Sequence, residues 1–271
     1  MQRIRDRLWM FSVEAGTDDQ EYGIPLSRMT PIESCLTMGV SRLMMITNGR
    51  DEPKPPLEPY FRALRPLDEV AWSLVGSGSR TGWAEGREVA ILRDLAARYP
   101  NLTGVYMDDF FNESTADGPG TLTLSELDTL RRQLVVGMRR LNLWVVLYTH
   151  QIDLPIERQL ERVDIINLWT WHAKDLVDLD ENLARVEEKC PGARISLGLY
   201  LYDYGDRREM PLELMQHQCE RALAWLHEGR IESAALLGSY LCDLGLEAVE
   251  WTRDWIANVG DQQVGSRDMA M

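Results

Sequence analysis

The sequence predicts a single (β/α)8 barrel, and three observations predict it. Eight short runs rich in apolar, β-branched or aromatic residues are each followed by a stretch with helical spacing. The runs are apolar on both faces, as strands of a parallel sheet covered by helices are. The chain of 271 residues is close to the roughly 250 that eight such units need to close. An open doubly wound sheet is the alternative, but neither GxGxxG nor GxxxxGKS/T follows the first run, which removes the usual nucleotide site of that architecture. The barrel is expected over residues 1–260, with 261–271 as a flexible tail and no internal repeat or linker.

The expected strands are Leu8–Glu14, Arg42–Asn48, Val70–Val75, Thr103–Asp108, Leu143–His150, Asp164–Trp171, Arg194–Tyr202 and Ser233–Leu241. Thr30-Pro31-Ile32-Glu33 combines an N-cap, a proline at the first helical position and a capping-box glutamate, so the first helix starts there and runs to about Gly39. Helices follow over Leu57–Leu64 and Glu88–Tyr99. Thr123 and Glu126 form a second capping box, opening a helix expected to reach Arg140. Pro155–Val163, Asp175–Lys189, Pro211–Glu228 and Leu246–Asn258 complete the count, with Gly229 closing the seventh.

Acidic residues outnumber basic ones 43 to 29, a formal charge of −14, which argues against a nucleic-acid partner, since gripping phosphates needs a positive footprint. Neutral or cationic ligands are favoured. The lysines are Lys54, Lys174 and Lys189, none at a predicted strand end, which argues against Schiff-base chemistry. Cys35, Cys190, Cys219 and Cys242 are widely spaced and form no metal-binding pattern; no cofactor is expected. No apolar stretch reaches membrane-spanning length, and the charged start, Met1 to Arg7, precedes no signal-type core. A soluble chain is expected, cytoplasmic or exported after removal of a leader. Composition sets no oligomeric state.

A barrel of this kind carries its chemistry at the C-terminal ends of the strands. Those ends are polar and aromatic here: Ser12 and Glu14; Asn48 and Arg50; Asp108 and Asp109; Tyr148 and His150; Trp169, Trp171 and His172; Tyr200 and Tyr202; Tyr240. Period-two alternation groups Ser12 with Glu14, Asn48 with Arg50, Tyr106 with Asp108, Tyr148 with His150, Asn167 with Trp169 and Trp171, and Gly198 with Tyr200 and Tyr202, and that parity is expected to face inward. Asp108 then points into the barrel and Asp109 to the rim or the helices, unless a bulge exchanges them. Two carboxylates closing an apolar strand are costly to desolvate unless used or hydrogen-bonded. They serve either as a cap on the following loop or as catalytic groups.

The run Gly104 to Phe111, GVYMDDFF, resembles the acidic fourth-strand end of glycoside-hydrolase-type TIM barrels. The resemblance implies a catalytic carboxyl at Asp108 or Asp109, the strand that carries the nucleophile in α-galactosidase-like barrels. The longer acidic series of chitinase-like barrels, which ends in a glutamate, is not reproduced: Glu113 falls well into the loop. No Asn-Glu pair closes the strand as in the cellulase-like clan.

Glycoside hydrolysis usually sets two carboxyls across the scissile bond. The expected partner of the Asp108/Asp109 pair is Asp203, then Glu14. Against these stand a turn role for Asp203 ahead of Gly205 and an ion pair of Glu14 with Arg50. Trp169, Trp171, Tyr148, Tyr200, Tyr202 and Tyr204 offer flat faces suited to sugar C–H groups, and Tyr240, Asn48, Arg50, His150 and His172 are the further expected contacts to substrate. The ligand expected is a carbohydrate or another neutral polar small molecule. The alternatives are a metal-dependent sugar isomerase or hydrolase using Asp108, His150 and His172, and a barrel that binds saccharide without turning it over.

Overall fold

The computed structural model describes residues 2–16, 20–47, 53–76, 80–81 and 87–264. Eight parallel strands form a closed barrel: β1 Leu8–Ser12, β2 Arg42–Met45, β3 Glu69–Gly76, β4 Leu102–Met107, β5 Asn142–Tyr148, β6 Ile165–Trp169, β7 Arg194–Tyr200 and β8 Ser233–Leu237. Each pairs with its neighbour in sequence, and β8 pairs with β1 from Ala234 opposite Leu8 to Leu237 opposite Phe11, which closes the ring. The helices are α1 Pro31–Met38, α2 Glu58–Ala63, α3 Arg87–Arg98, α4 Leu124–Gln133, α5 Glu157–Leu160, α6 Leu179–Lys189, α7 Leu212–Glu228 and α8 Glu247–Val259. This is the predicted single (β/α)8 barrel.

Local chemistry starts and stops these helices where expected. The Glu33 amide donates to Thr30 Oγ1 at 3.3 Å while the Thr30 amide donates to Glu33 Oε2 at 2.9 Å, and Thr123 and Glu126 repeat the arrangement. Other boundaries differ: α5 covers Glu157–Leu160 where Pro155–Val163 is expected, α6 starts at Leu179 after a 3-10 segment rather than at Asp175, and β8 ends at Leu237 rather than Leu241. The fourth helix was expected to reach Arg140 but ends at Gln133, because Gly137 takes a φ of 61° and turns Val135–Val136 back onto Arg139–Arg140 as a hairpin. Two β-branched residues before a glycine carry that signal. At the other end of the chain, Gln2–Arg3 pairs with Gln263–Val264, so ordered backbone continues to Val264.

Ion pairs fasten the starts of the strands. Arg42 meets Glu69 at 2.8 Å, Arg140 meets Asp164 at 2.6 Å, and Arg194 holds both carboxylate oxygens of Glu232 through Nε and Nη2. This end of the barrel serves stability, which leaves the opposite rim to chemistry.

Side chains fill the interior. Trp9 meets Trp144 edge to face at 5.1 Å, and Phe11 reaches Tyr106 at 5.8 Å and Trp169 at 5.7 Å. Since β1 is not hydrogen-bonded to β4, β5 or β6, these contacts cross the bore, so Trp9 and Phe11 face inward on β1. That corrects the expected inward parity of Ser12 and Glu14. On β4 and β6 the expected parity holds: the Tyr106 hydroxyl donates to Asn167 Oδ1, and Asn167 Nδ2 donates to the Ser196 carbonyl at 3.1 Å. A side chain on Gly198 would overlap the indole of Trp169, so β7 needs glycine there for the ring on β6 to lie flat across it.

Gly198→Ala is therefore expected to cost about 1–3 kcal/mol through overpacking, read from denaturant unfolding. In a Trp169→Leu background the same change should cost less, because the ring it collides with is gone; equal costs in both backgrounds would contradict the packing account.

Candidate active site

β4 ends at Met107, and the next two residues build the centre of the mouth. The Asp108 amide donates to the Val75 carbonyl at 2.8 Å, holding the residue against β3 after the regular ladder has ended. Its side chain is only 6% exposed, and its Oδ1 accepts the Asp109 amide at 3.0 Å. Burial first, and the neighbouring Asp109 charge second, push the Asp108 carboxyl well above the usual range, so it keeps its proton more readily than an exposed aspartate.

Asp109 sits in the left-handed region, φ 48° and ψ 24°, at the start of a single 3-10 turn, Phe110–Asn112. The Tyr148 hydroxyl, at the end of β5, donates to its Oδ1 at 2.8 Å. Burial first, and the charges of Asp108 and Asp109 after it, push Tyr106, Tyr148 and Tyr200 well above the usual tyrosine value, with Tyr200 also acting on Tyr148. The two aspartates therefore share one side of the mouth, although alternation alone offered Asp109 the helix side as well.

Around them stands an aromatic wall centred on Trp171, which is half-buried. Tyr148 and Tyr200 meet it edge-on at 6.0 Å, and Tyr204 lies tilted to it at 6.0 Å. His150 is exposed on the rim and stacks on Tyr148, ring centres 5.4 Å apart and 9° from parallel; partial burial and the nearby His172 lower its pKa. Tyr240 is buried with its hydroxyl against that of Tyr204. Gln151, on the 3-10 turn after β5, accepts the Tyr148 amide at 3.1 Å and donates to Asn112 at 2.8 Å, tying the β4 and β5 loops together.

Three expected site residues have other positions. Trp169 is 1% exposed, packed between Phe11 and Tyr200 over Gly198; it is core rather than ligand wall. Asp203 is 1% exposed and holds loops: its Oδ1 accepts the amides of Ala173 and Asp206, both at 3.2 Å, and its Oδ2 accepts Arg208 Nε at 3.1 Å. The Tyr202 hydroxyl donates to the Tyr22 carbonyl at 2.8 Å, fixing the loop after β1 to the loop after β7. Glu14 lies two residues past the end of β1, half-buried. Asn48 and Arg50 lie outside the described residues.

Sequence reasoning missed two contributors. Tyr22, on the loop after β1, turns its ring edge toward Trp171 at 6.2 Å and Tyr204 at 5.2 Å, with the Arg207 guanidinium 5.6 Å from its centre. Asp206 places Oδ1 3.1 Å from His172 Nδ1. Neither lies at a strand end, so strand alternation carries no signal for them. Among the described residues no group of three or more His, Cys, Asp or Glu side chains is arranged to hold a metal ion, and no helix is long and apolar enough to cross a membrane.

No protein-family model matches the chain, and no curated protein matches its sequence. Solved structures do. The active domain 2 of a chitinase from Pyrococcus furiosus superposes with a TM-score of 0.60 at 15% identity, over 97% of this chain and 98% of that one. A xylanase–α-amylase inhibitor protein in complex with trehalose gives 0.57 at 14%, over 93% and 98%. The catalytic domain of a hyperthermophilic chitinase from Pyrococcus furiosus gives 0.55 at 16%, over 88% and 85%. The likeness is one of fold. It agrees with the resemblance to glycoside-hydrolase-type barrels and singles out no family.

The raised pKa of Asp108 has a consequence for stability. The folded state binds this proton more tightly than the unfolded chain, so the stability it contributes is full below the ordinary aspartate pKa and is lost as pH rises toward the folded value. Asp108→Asn keeps an acceptor for the Asp109 amide without the charge. It is expected to raise the melting temperature at pH 8 and to change it little at pH 4; a constant difference across that range would refute the buried-acid assignment.

Proposed function

We propose that this barrel is a glycoside hydrolase that takes a saccharide across its C-terminal mouth and uses the Asp108/Asp109 pair as its acid–base centre. The observation that carries the reading is the pair itself. One carboxyl is buried, which pushes its pKa up; its neighbour reaches the rim and accepts a tyrosine hydroxyl. Environments that separate two carboxyls in this way assign them different work. Asp108 donates its proton to the departing glycosidic oxygen as the C–O bond breaks, Asp109 faces the oxocarbenium ion that develops, and a water that adds to the anomeric carbon returns its proton to the Asp108 carboxylate. Trp171 and the tyrosines around it present ring faces to sugar C–H groups, and their hydroxyls offer donors and acceptors to sugar hydroxyls. That chitinases and a trehalose-bound protein share this architecture puts saccharides within the reach of the fold; the side chains of the mouth bring the reading to this chain.

The position of Asp203 favours a second reading. The carboxyl expected across the site spends its oxygens on two loop amides and an arginine, which leaves the Asp108/Asp109 side without that partner. A barrel that binds saccharide and does not cleave it would have such a mouth.

Following product release from aryl glycosides and natural oligosaccharides separates the two. For the hydrolase, Asp108→Asn is expected to lower kcat roughly 10²–10⁴-fold in a protein whose circular dichroism is unchanged. Wild-type activity should hold through acidic pH and fall as pH rises through the elevated Asp108 pKa, because the donor must be protonated. Asp203→Asn should lower the melting temperature more than it lowers kcat. Binding without turnover across the whole panel would select the silent barrel, and full turnover by Asp108→Asn would sink the acid assignment.

A further inference from the structure

Beside the carboxyl pair stands a second construction that the hydrolase reading does not use. His172 follows Trp171 directly, and its Nδ1 lies 3.1 Å from Asp206 Oδ1. A carboxylate has no proton to give, so Nδ1–H is the donor, and in the neutral ring the lone pair is left on Nε2. The carboxylate is itself held. Arg208 bridges Asp203 Oδ2 at 3.1 Å and Asp206 Oδ2 at 3.4 Å, and Asp203 Oδ1 takes both the Asp206 amide and the amide of Ala173, the residue after His172. One buried carboxylate thus fixes the backbone on both sides of the His172–Asp206 contact.

The ring has little freedom within this frame. A side chain on Gly205 would run into the Nδ1, Cγ and Cε1 atoms of His172, so the loop lies directly on that edge. The Gly205 amide donates to the Trp171 carbonyl at 3.3 Å, closing the loop against the segment after β6 that carries the histidine. The side chain is nevertheless 37% exposed. With the Nδ1 edge covered by Asp206 and Gly205, the Nε2 edge is the one left to a ligand on the rim that also carries His150 and Trp171.

We infer that Asp206 sets His172 as a fixed hydrogen-bond acceptor, Nε2 outward, for a hydroxyl of the saccharide bound in the mouth. The inference rests on the saccharide reading above and adds to it a positioning residue and a specificity. An imidazole locked in this tautomer accepts from an O–H group and offers nothing to an ether or carbonyl oxygen, so the sugar unit beside Trp171 must keep a free hydroxyl at that point. Asp203, expected as a catalytic carboxyl, is the anchor of this frame.

Two measurements test it. Nitrogen-15 NMR of the imidazoles, which needs no ligand, should show His172 with its proton on Nδ1 in the wild type and a mixed or reversed tautomer in Asp206→Asn, since an asparagine can accept or donate at this point. Calorimetric titration with cellohexaose, maltohexaose and the N-acetylglucosamine hexamer should show the hexamer that binds losing roughly tenfold in affinity in Asp206→Asn, and Asp206→Glu should regain part of it. For any of the three that is turned over, KM should rise with kcat little changed, a split that a loss of folding would not produce. An Nε2–H tautomer in the wild type overturns the inference, as does an affinity indifferent to Asp206→Asn or failure of all three hexamers to bind. Turnover that depends on Asp108 while ignoring Asp206 would retain the hydrolase and remove this role alone.

Discussion

The hydrogen-bonded ladder between β8 and β1 is the constraint from which the rest of the molecule follows. Once Ala234 to Leu237 pair with Leu8 to Phe11, every strand has two neighbours and the inner face of the sheet encloses a bore that must be filled. Large rings fill it: Trp9 against Trp144, and Phe11 against Tyr106 and Trp169. Asp108 stands at the end of β4, above that packed interior. Its carboxyl is desolvated because the side chains below it leave the bore closed to bulk water, and the proton it retains is a consequence of barrel closure as much as of its own neighbours.

The loops at the rim depend on the barrel in a second way. Closure brings the loops after β1, β6 and β7 into contact, and the polar groups of those loops then have to satisfy one another. Asp203 shows the result: three donors from two loops and one arginine converge on its two oxygens. Burying a carboxylate is costly, and charge-assisted hydrogen bonds to backbone amides and a guanidinium offset that cost. The same group holds Ala173 and Asp206 in register, so an electrostatic requirement of the loop becomes the orientation of His172.

Most of the architecture was legible in the sequence because alternation, helix caps and chain length all report on local structure, and a barrel is a repetition of one local unit. Thr30 with Glu33 and Thr123 with Glu126 marked two helix starts to the residue. The site was legible only as a neighbourhood. Trp169 and Trp171 share a face and differ by two residues, yet at about 3.3 Å per residue that step lifts the second ring out of the packed bore and onto the rim. Local sequence carries no measure of where the bore ends. Phe11 could take the inward parity from Ser12 because only contacts across the bore decide which face of a short apolar strand is inside. Tyr22 and Asp206 join the site through loops whose paths depend on long-range contacts, and Asp206 was hidden in a segment that read as a turn.

The arrangement of Asp108 and Asp109 turns on one backbone angle. In an extended strand, consecutive side chains point to opposite faces, and the second carboxyl would have faced the helices. Asp109 instead adopts φ 48°, a left-handed conformation that costs a residue other than glycine roughly 1–2 kcal/mol. Aspartate and asparagine tolerate that region better than most side chains. The turn ends the strand, starts the 3-10 segment and places Oδ1 against the Tyr148 hydroxyl, whose tyrosine also feels Asp108. A glycine would take the angle more cheaply but would bring no carboxyl. An aspartate at this position accepts the strain and supplies the second acidic group, so the adjacency of the two acids in sequence becomes proximity in the mouth only through the conformation that the second one adopts.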